Sequence, residues 1–75
     1  MNFIIIFQIY IKEAFVSNPL ILKTSESWKL YVDPDGDIQS QITKMKLLLK
    51  DQITPAVRQN LQYIYLQYKD RAYYK

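Results

Sequence analysis

The residue types that carry most enzyme chemistry are missing from this chain. It has no histidine and no cysteine, which removes the commonest general base, the thiol nucleophile and most transition-metal ligand sets. Ser17, Ser25, Ser27 and Ser40 therefore have no imidazole to activate them. Glu13 and Glu26, the two glutamates, read as ordinary strand or loop residues. One glycine cannot build a phosphate-cradling loop. The acidic cluster is Asp33-Pro34-Asp35-Gly36-Asp37. A calcium loop needs ligands at alternating positions and a bidentate glutamate at its twelfth residue. Counting from Asp33, that residue is Lys44. The segment therefore reads as a strand end plus a helix N-cap, with Asp35 or Asp37 accepting orphan amide hydrogen bonds. No catalytic set, metal or cofactor is expected, and the chain reads as non-enzymatic.

What remains is chemistry of recognition. Five of the seven tyrosines fall in residues 61–75, Leu-Gln-Tyr-Ile-Tyr-Leu-Gln-Tyr-Lys-Asp-Arg-Ala-Tyr-Tyr-Lys. Aromatic and β-branched residues suit a pleated, half-buried surface, and Lys69-Asp70 is the polar break, so the stretch predicts a two-stranded hairpin. In its first strand Tyr63, Tyr65 and Gln67 share one face, and Ile64, Leu66 and Tyr68 share the other. Two compatible readings follow. The second set packs on a helix and the first is merely solvated, or Tyr63, Tyr65, Tyr73 and Tyr74 form an exposed aromatic surface of the kind enriched at interfaces. A terminal strand at a sheet edge would also offer unpaired N–H and C=O groups to a partner strand or to a second copy of the chain.

The elements that must position this hairpin are short. Residues 3–11, rich in isoleucine and phenylalanine, predict a strand buried on both faces. The apolar start has no basic flank or cleavage site, and eleven residues with Gln8 among them fall short of the roughly 20 that span a bilayer. Ser17-Asn18-Pro19 signals a turn. Two period-two runs follow at residues 20–24 and 28–32, with Trp28, Leu30 and Val32 on one face and Ser25-Glu26-Ser27 as the hairpin loop. Residues 38–53 predict the main helix, with a stripe of Ile38, Ile42, Met45, Leu49 and Ile53 widened by Leu48. Lys44, Lys46 and Lys50 fall off the stripe and are expected in solvent. Thr54-Pro55 marks an N-cap and first helical position, so residues 54–60 predict one more turn. The order β-β-β-α-β-β implies an α+β fold, a single antiparallel-dominated sheet of about five strands with one helix on one face.

Seventy-five residues allow one domain, and a chain this short buries only about 60% of its unfolded surface. With no disulfide to compensate, we expect a piece of a larger protein or a domain stabilised by a partner. The net charge of +3 is modest, and Lys44, Lys46, Lys50, Arg58, Lys69 and Arg71 are scattered rather than striped. A sequence pI of about 9.2 with exposed tyrosines nevertheless leaves a second reading, a small single-stranded nucleic-acid-binding module whose rings stack bases.

Three segments resemble one family. Thr24-Ser25-Glu26-Ser27-Trp28-Lys29-Leu30-Tyr31 is similar to the Thr-Ser-Glu-Gly-Trp-x-(Ile/Leu)-Tyr hairpin in the β domain of FtsQ/DivIB cell-division proteins. Residues 41–49, with Lys-Met-Lys-Leu-Leu-Leu, resemble the helix after it. Residues 61–75 resemble the Leu-x-Tyr-Ile-Asp-Leu-Arg-(Phe/Tyr)-Gly-Asn-(Arg/Lys)-x-Tyr-Tyr-Lys ending. The likeness runs in order over residues 17–75, with residues 1–16 as a separate N-terminal strand region. It departs at Ser27, where the family has glycine, at Tyr65 and Gln67, where it has Asp and Arg, and at Lys69-Asp70, where it has Gly-Asn. The resemblance implies a truncated, diverged β domain of a non-catalytic divisome component on the extracytoplasmic side of the cell membrane. Expressed alone, without signal or anchor, the chain is expected in the cytoplasm. The resemblance also implies binding of the FtsB/DivIC–FtsL pair by strand addition, through Tyr63, Tyr65, Leu66, Tyr68, Arg71, Tyr73 and Tyr74.

Overall fold

The computed structural model describes residues 4–6 and 9–75. The strands are β1 (Ile4–Ile6), β2 (Ile9–Phe15), β3 (Leu20–Thr24), β4 (Lys29–Val32), β5 (Tyr63–Tyr65) and β6 (Tyr73–Tyr74). Helices α1 (Ile38–Asp51) and α2 (Pro55–Arg58) lie between β4 and β5. The six strands form one sheet in simple sequence order. The predicted α+β class stands, with an antiparallel-dominated sheet, since among the described strands only β4 and β5 run parallel. A parallel neighbour requires a crossover rather than a hairpin, and α1 with α2 is that crossover.

The N-terminal reading needs correction. Residues 3–11 do not form one strand, because Ile4–Ile6 and Ile9–Phe15 pair antiparallel, with Ile6 opposite Ile9. Phe3, Phe7 and Gln8 lie outside the described residues. No glycine, proline or asparagine marks the reversal, so composition alone hides it. Nor is β2 buried on both faces. Ile9 is buried, Tyr10 and Ile11 are half-buried, and the strand runs on through exposed Lys12 to Phe15. No helix among the described residues is long and apolar enough to cross a membrane.

The β3–β4 hairpin shows why its sequence folds as it does. Thr24 donates its hydroxyl to the Trp28 carbonyl at 2.9 Å, and the Ser27 amide donates to the Thr24 carbonyl. Ser27 is forced to φ 78, the left-handed region that glycine occupies at least cost. Ser25 ties the turn to β2, accepting from the Tyr10 amide through its hydroxyl and donating its own amide to the Tyr10 carbonyl. Trp28 is fully buried, and its indole N–H donates to Glu26 Oε1 at 3.0 Å. The same carboxylate oxygen meets Arg58 of α2 at 2.8 Å. Glu26, read from sequence as a plain loop residue, therefore joins the hairpin to the crossover.

Asp37 caps α1 by accepting from the Ser40 amide at 3.1 Å, and that hydrogen bond holds its carboxyl below the usual value. Asp33 accepts from the Asp35 amide within the turn. Thr54 caps α2 with Pro55 at the first helical position, as predicted. Met45, Leu49 and Ile53 face the sheet and join Trp28, Leu30, Val32, Ile64 and Leu66 in the core. The stripe differs at one end, where Ile38 is 42% exposed and Gln41 is buried instead. The Gln41 amide bonds both the N–H and the C=O of Asp33 and reaches the Asp37 carbonyl. It satisfies a turn that α1 would otherwise bury with open polar groups.

Candidate recognition face

Sheet register assembles the tyrosines. Pairing runs Phe15–Ile21–Tyr31–Tyr65–Tyr73 across five strands, one residue from each of β2 to β6. Cross-strand partners share a face, so this row lies on one side of the sheet. The neighbouring row, Ala14–Leu22–Leu30–Ile64–Tyr74, lies on the other side, where Leu30 and Ile64 meet α1. A second outward row runs Glu13–Lys23–Lys29–Tyr63, and Lys75 exchanges both backbone hydrogen bonds with Tyr63.

The outward rings touch in sequence. Tyr63 and Tyr65 stack with centroids 4.4 Å apart, and Tyr31 meets Tyr65 edge-on at 4.7 Å. Tyr68 stands edge-on to Tyr65 at 6.5 Å and to Tyr73 at 5.4 Å. The edge-on pairs lie in the range where aromatic pairs attract beyond area burial alone, and the stacked pair sits at its short limit. The Tyr65 phenol is pushed above its ordinary pKa, first by partial desolvation and then by Tyr63, Tyr31 and Tyr68. Arg71 donates to the Tyr73 hydroxyl at 3.3 Å, and its pKa is raised further by that bond.

Of the seven residues expected to meet a partner, Tyr63, Tyr65, Tyr68, Arg71 and Tyr73 are brought together on this face. Leu66 is not among them, because its side chain is 1% exposed in the core and its amide donates to the Tyr31 carbonyl. Tyr74 sits opposite Ile64 on the helix side, at the sheet margin rather than among the outer rings. Tyr68 leaves the face expected for it because the strand ends at Tyr65 and the chain turns. Tyr31 was missed. Its alternation with Leu30 and Val32 marks it as outward-facing, but only the parallel register of β4 against β5 places it beside Tyr65.

The margin itself is open. Among the described residues β6 pairs with β5 alone, and it is the last strand in the sheet order. Tyr63 and Lys75 form a doubly bonded pair, N to O at 3.2 Å each way. Antiparallel ladders alternate such pairs with non-bonded ones. Tyr65 with Tyr73 is therefore the next bonded pair, and the N–H and C=O of Tyr74 point away from β5.

Lys44 holds this margin in place, against its expected position in solvent. Its ammonium donates to the carbonyls of Leu66 at 3.1 Å, of Arg71 at 3.2 Å and of Tyr68. One helical side chain thus fastens the whole connection between β5 and β6. The chain matches no protein-family model, and no curated protein or solved structure was found to match it.

Proposed function

We propose that the chain is a non-catalytic protein-interaction domain that recognises its partner at the β6 margin and the tyrosine face beside it. The observation that carries the reading is the outward-pointing backbone of Tyr74 next to a packed array of half-exposed rings. Magnitudes divide the work between them. A guest strand gains two main-chain hydrogen bonds at Tyr74, together about 1–3 kcal/mol, while micromolar affinity needs about 8 kcal/mol. Because β6 is only two residues long, the rings supply most of the affinity and the backbone supplies the register. With the resemblance to FtsQ/DivIB proteins, the proposed partner is an FtsB/DivIC–FtsL-like divisome pair on the extracytoplasmic side of the membrane.

Proline at position 74 tests the mechanism, since it removes the outward N–H but none of the bonds to β5. Titration of a labelled FtsB/DivIC-like peptide should show weakened binding to Tyr74→Pro and near-normal binding to Tyr74→Phe, which keeps the amide. Equal binding by both variants would rule out strand addition. Deleting residues 71–75 should abolish capture while α1 stays folded.

One observation favours a second reading, single-stranded nucleic acid. Lys29 lies opposite Tyr63 in register, Lys23 lies next to Lys29, and Arg71 lies against Tyr73. Bases stacking on the rings would use those charges for phosphates. The stacking of Tyr63 on Tyr65 already occupies ring faces that bases would need, and this tips the balance toward a protein partner. Absence of binding to a labelled single-stranded oligonucleotide at low salt would end the alternative.

A further inference from the structure

The helix side of the sheet carries a second open site. Helix α1 packs over Leu30, Val32 and Ile64 of β4 and β5; on β2 and β3 the inward Ile9 and Thr24 are buried, but the inward residues further along these strands are not fully covered. Ile11, Leu20 and Leu22 are only half-buried there and form the floor of a cavity of about 350 Å³. Ile38 and Ile42 of α1 form its wall, and both leave apolar surface uncovered. Such a volume and such a lining are ordinary for small-molecule sites, which add a few polar groups to fix orientation. Here those groups are Gln39 and Lys46 of α1, and among the described residues no carboxylate lines the cavity.

We infer that this groove takes a single-chain anionic amphiphile, its acyl chain lying over Leu20, Leu22 and Ile42 and its head group meeting the Lys46 ammonium. Charge selects the occupant. A cationic head would be repelled by the Lys46 ammonium, whereas a carboxylate gains an ion pair at the mouth. The inference does not depend on the tyrosine face, which lies on the opposite side of the sheet.

The test uses the full chain and dodecanoate below its micelle concentration, followed by calorimetry and by methyl shifts of Ile11, Leu22 and Ile42. Saturable one-to-one binding with shifts confined to those methyls is expected. Lys46 is exposed, so Lys46→Glu should fold normally. The change replaces one surface attraction by a repulsion, each about 0.7 kcal/mol, which together correspond to about tenfold weaker dodecanoate binding. The same variant should bind dodecyltrimethylammonium more tightly than the parent chain does. Non-saturable binding, shifts at the tyrosines instead, or identical affinities in Lys46→Glu would each overturn the assignment. So would a ligand-free dimer by sedimentation that fails to dissociate with dodecanoate, because a second copy would then be the occupant.

Discussion

Replacing Lys44 with methionine should release the margin that the proposed recognition depends on. The substitution keeps the apolar stem of the side chain and removes only the ammonium. Three carbonyls, those of Leu66, Tyr68 and Arg71, then lose a charged donor. A hydrogen bond to a charged group contributes about 1.5–3 kcal/mol in a favourable setting. Two of the three here are solvent-exposed, and water can replace the donor at those sites. The buried share is the Leu66 bond, so a total loss of about 2 kcal/mol is expected rather than three times that figure. For a domain of this size, this corresponds to a fall in melting temperature of roughly 8–16 °C.

The loss should not be uniform. Because β6 is two residues long and bonded to β5 alone, it should open before the core does. Amide exchange at Tyr63 and Lys75, which bond each other, should therefore accelerate more than exchange at Ile64 and Leu30. Lys46→Met, at an exposed position on the same helix, serves as the control and should change stability by less than about 0.5 kcal/mol. If Lys44→Met melts with the parent chain and its Tyr63 and Lys75 amides exchange at the parental rate, the clamp has no energetic role and the reasoning fails.

Three further outcomes follow from single residues. Ser27→Gly should raise the denaturant midpoint, by about 0.5 kcal/mol net, because relief at φ 78 exceeds the entropy that glycine adds to the unfolded chain; a lower midpoint would show that the strain is absent. Glu26→Ala should cost about 2–3 kcal/mol in denaturant unfolding, since it strands the N–H of a fully buried Trp28 and removes an Arg58 contact; Glu26→Gln, which still accepts from the indole, should recover part of the loss. The Tyr65 phenol should ionise above the ordinary tyrosine value, mainly because it is partly desolvated. A phenol whose folded pKa is raised contributes stability that is complete below the unfolded value of about 10 and is lost as pH rises through the folded value. Tyr65→Phe should remove that alkaline component from stability measured alongside tyrosinate absorbance, and an unchanged profile would contradict the direction of the shift.

Local rules made much of the fold legible. Asp37 and Thr54 cap where their side chains can accept orphan amides, Trp28, Leu30 and Val32 alternate into the core, and Lys69-Asp70 breaks the terminal run where the chain turns. What stayed hidden is non-local or unmarked. The reversal between Ile6 and Ile9 carries no turn residue. Gln41 lies one turn before Met45 on the flank of the apolar stripe, but its polar type hides that it is buried with its amide on the Asp33 turn. Lys44 is one lysine among several until the chain from Leu66 to Arg71 folds under it. For the site, the tyrosine count pointed to the right segment, but the face each ring occupies depends on where β5 ends. Tyr68 joined the outer rings for that reason, whereas Tyr74 faces the helix side because it alternates with Tyr73 in β6.

The two proposed sites have a common origin in the crossover. Had β5 followed β4 by a hairpin, Tyr31 would have met an antiparallel register set by the loop, and the helix would have been free to lie elsewhere. Instead α1 and α2 return the chain parallel to β4, setting Lys29, Leu30 and Tyr31 against Tyr63, Ile64 and Tyr65. That register puts three tyrosines together on the outer face and the apolar pair Leu30 and Ile64 under the helix. The crossover is held at both ends, by Gln41 of α1 on the Asp33 turn and by Arg58 of α2 on Glu26 beside Trp28. It therefore cannot slide to cover Leu20 and Leu22. The connection that makes the aromatic face dense is thus the one that leaves the opposite face partly bare, and changes to its two anchors should loosen both together.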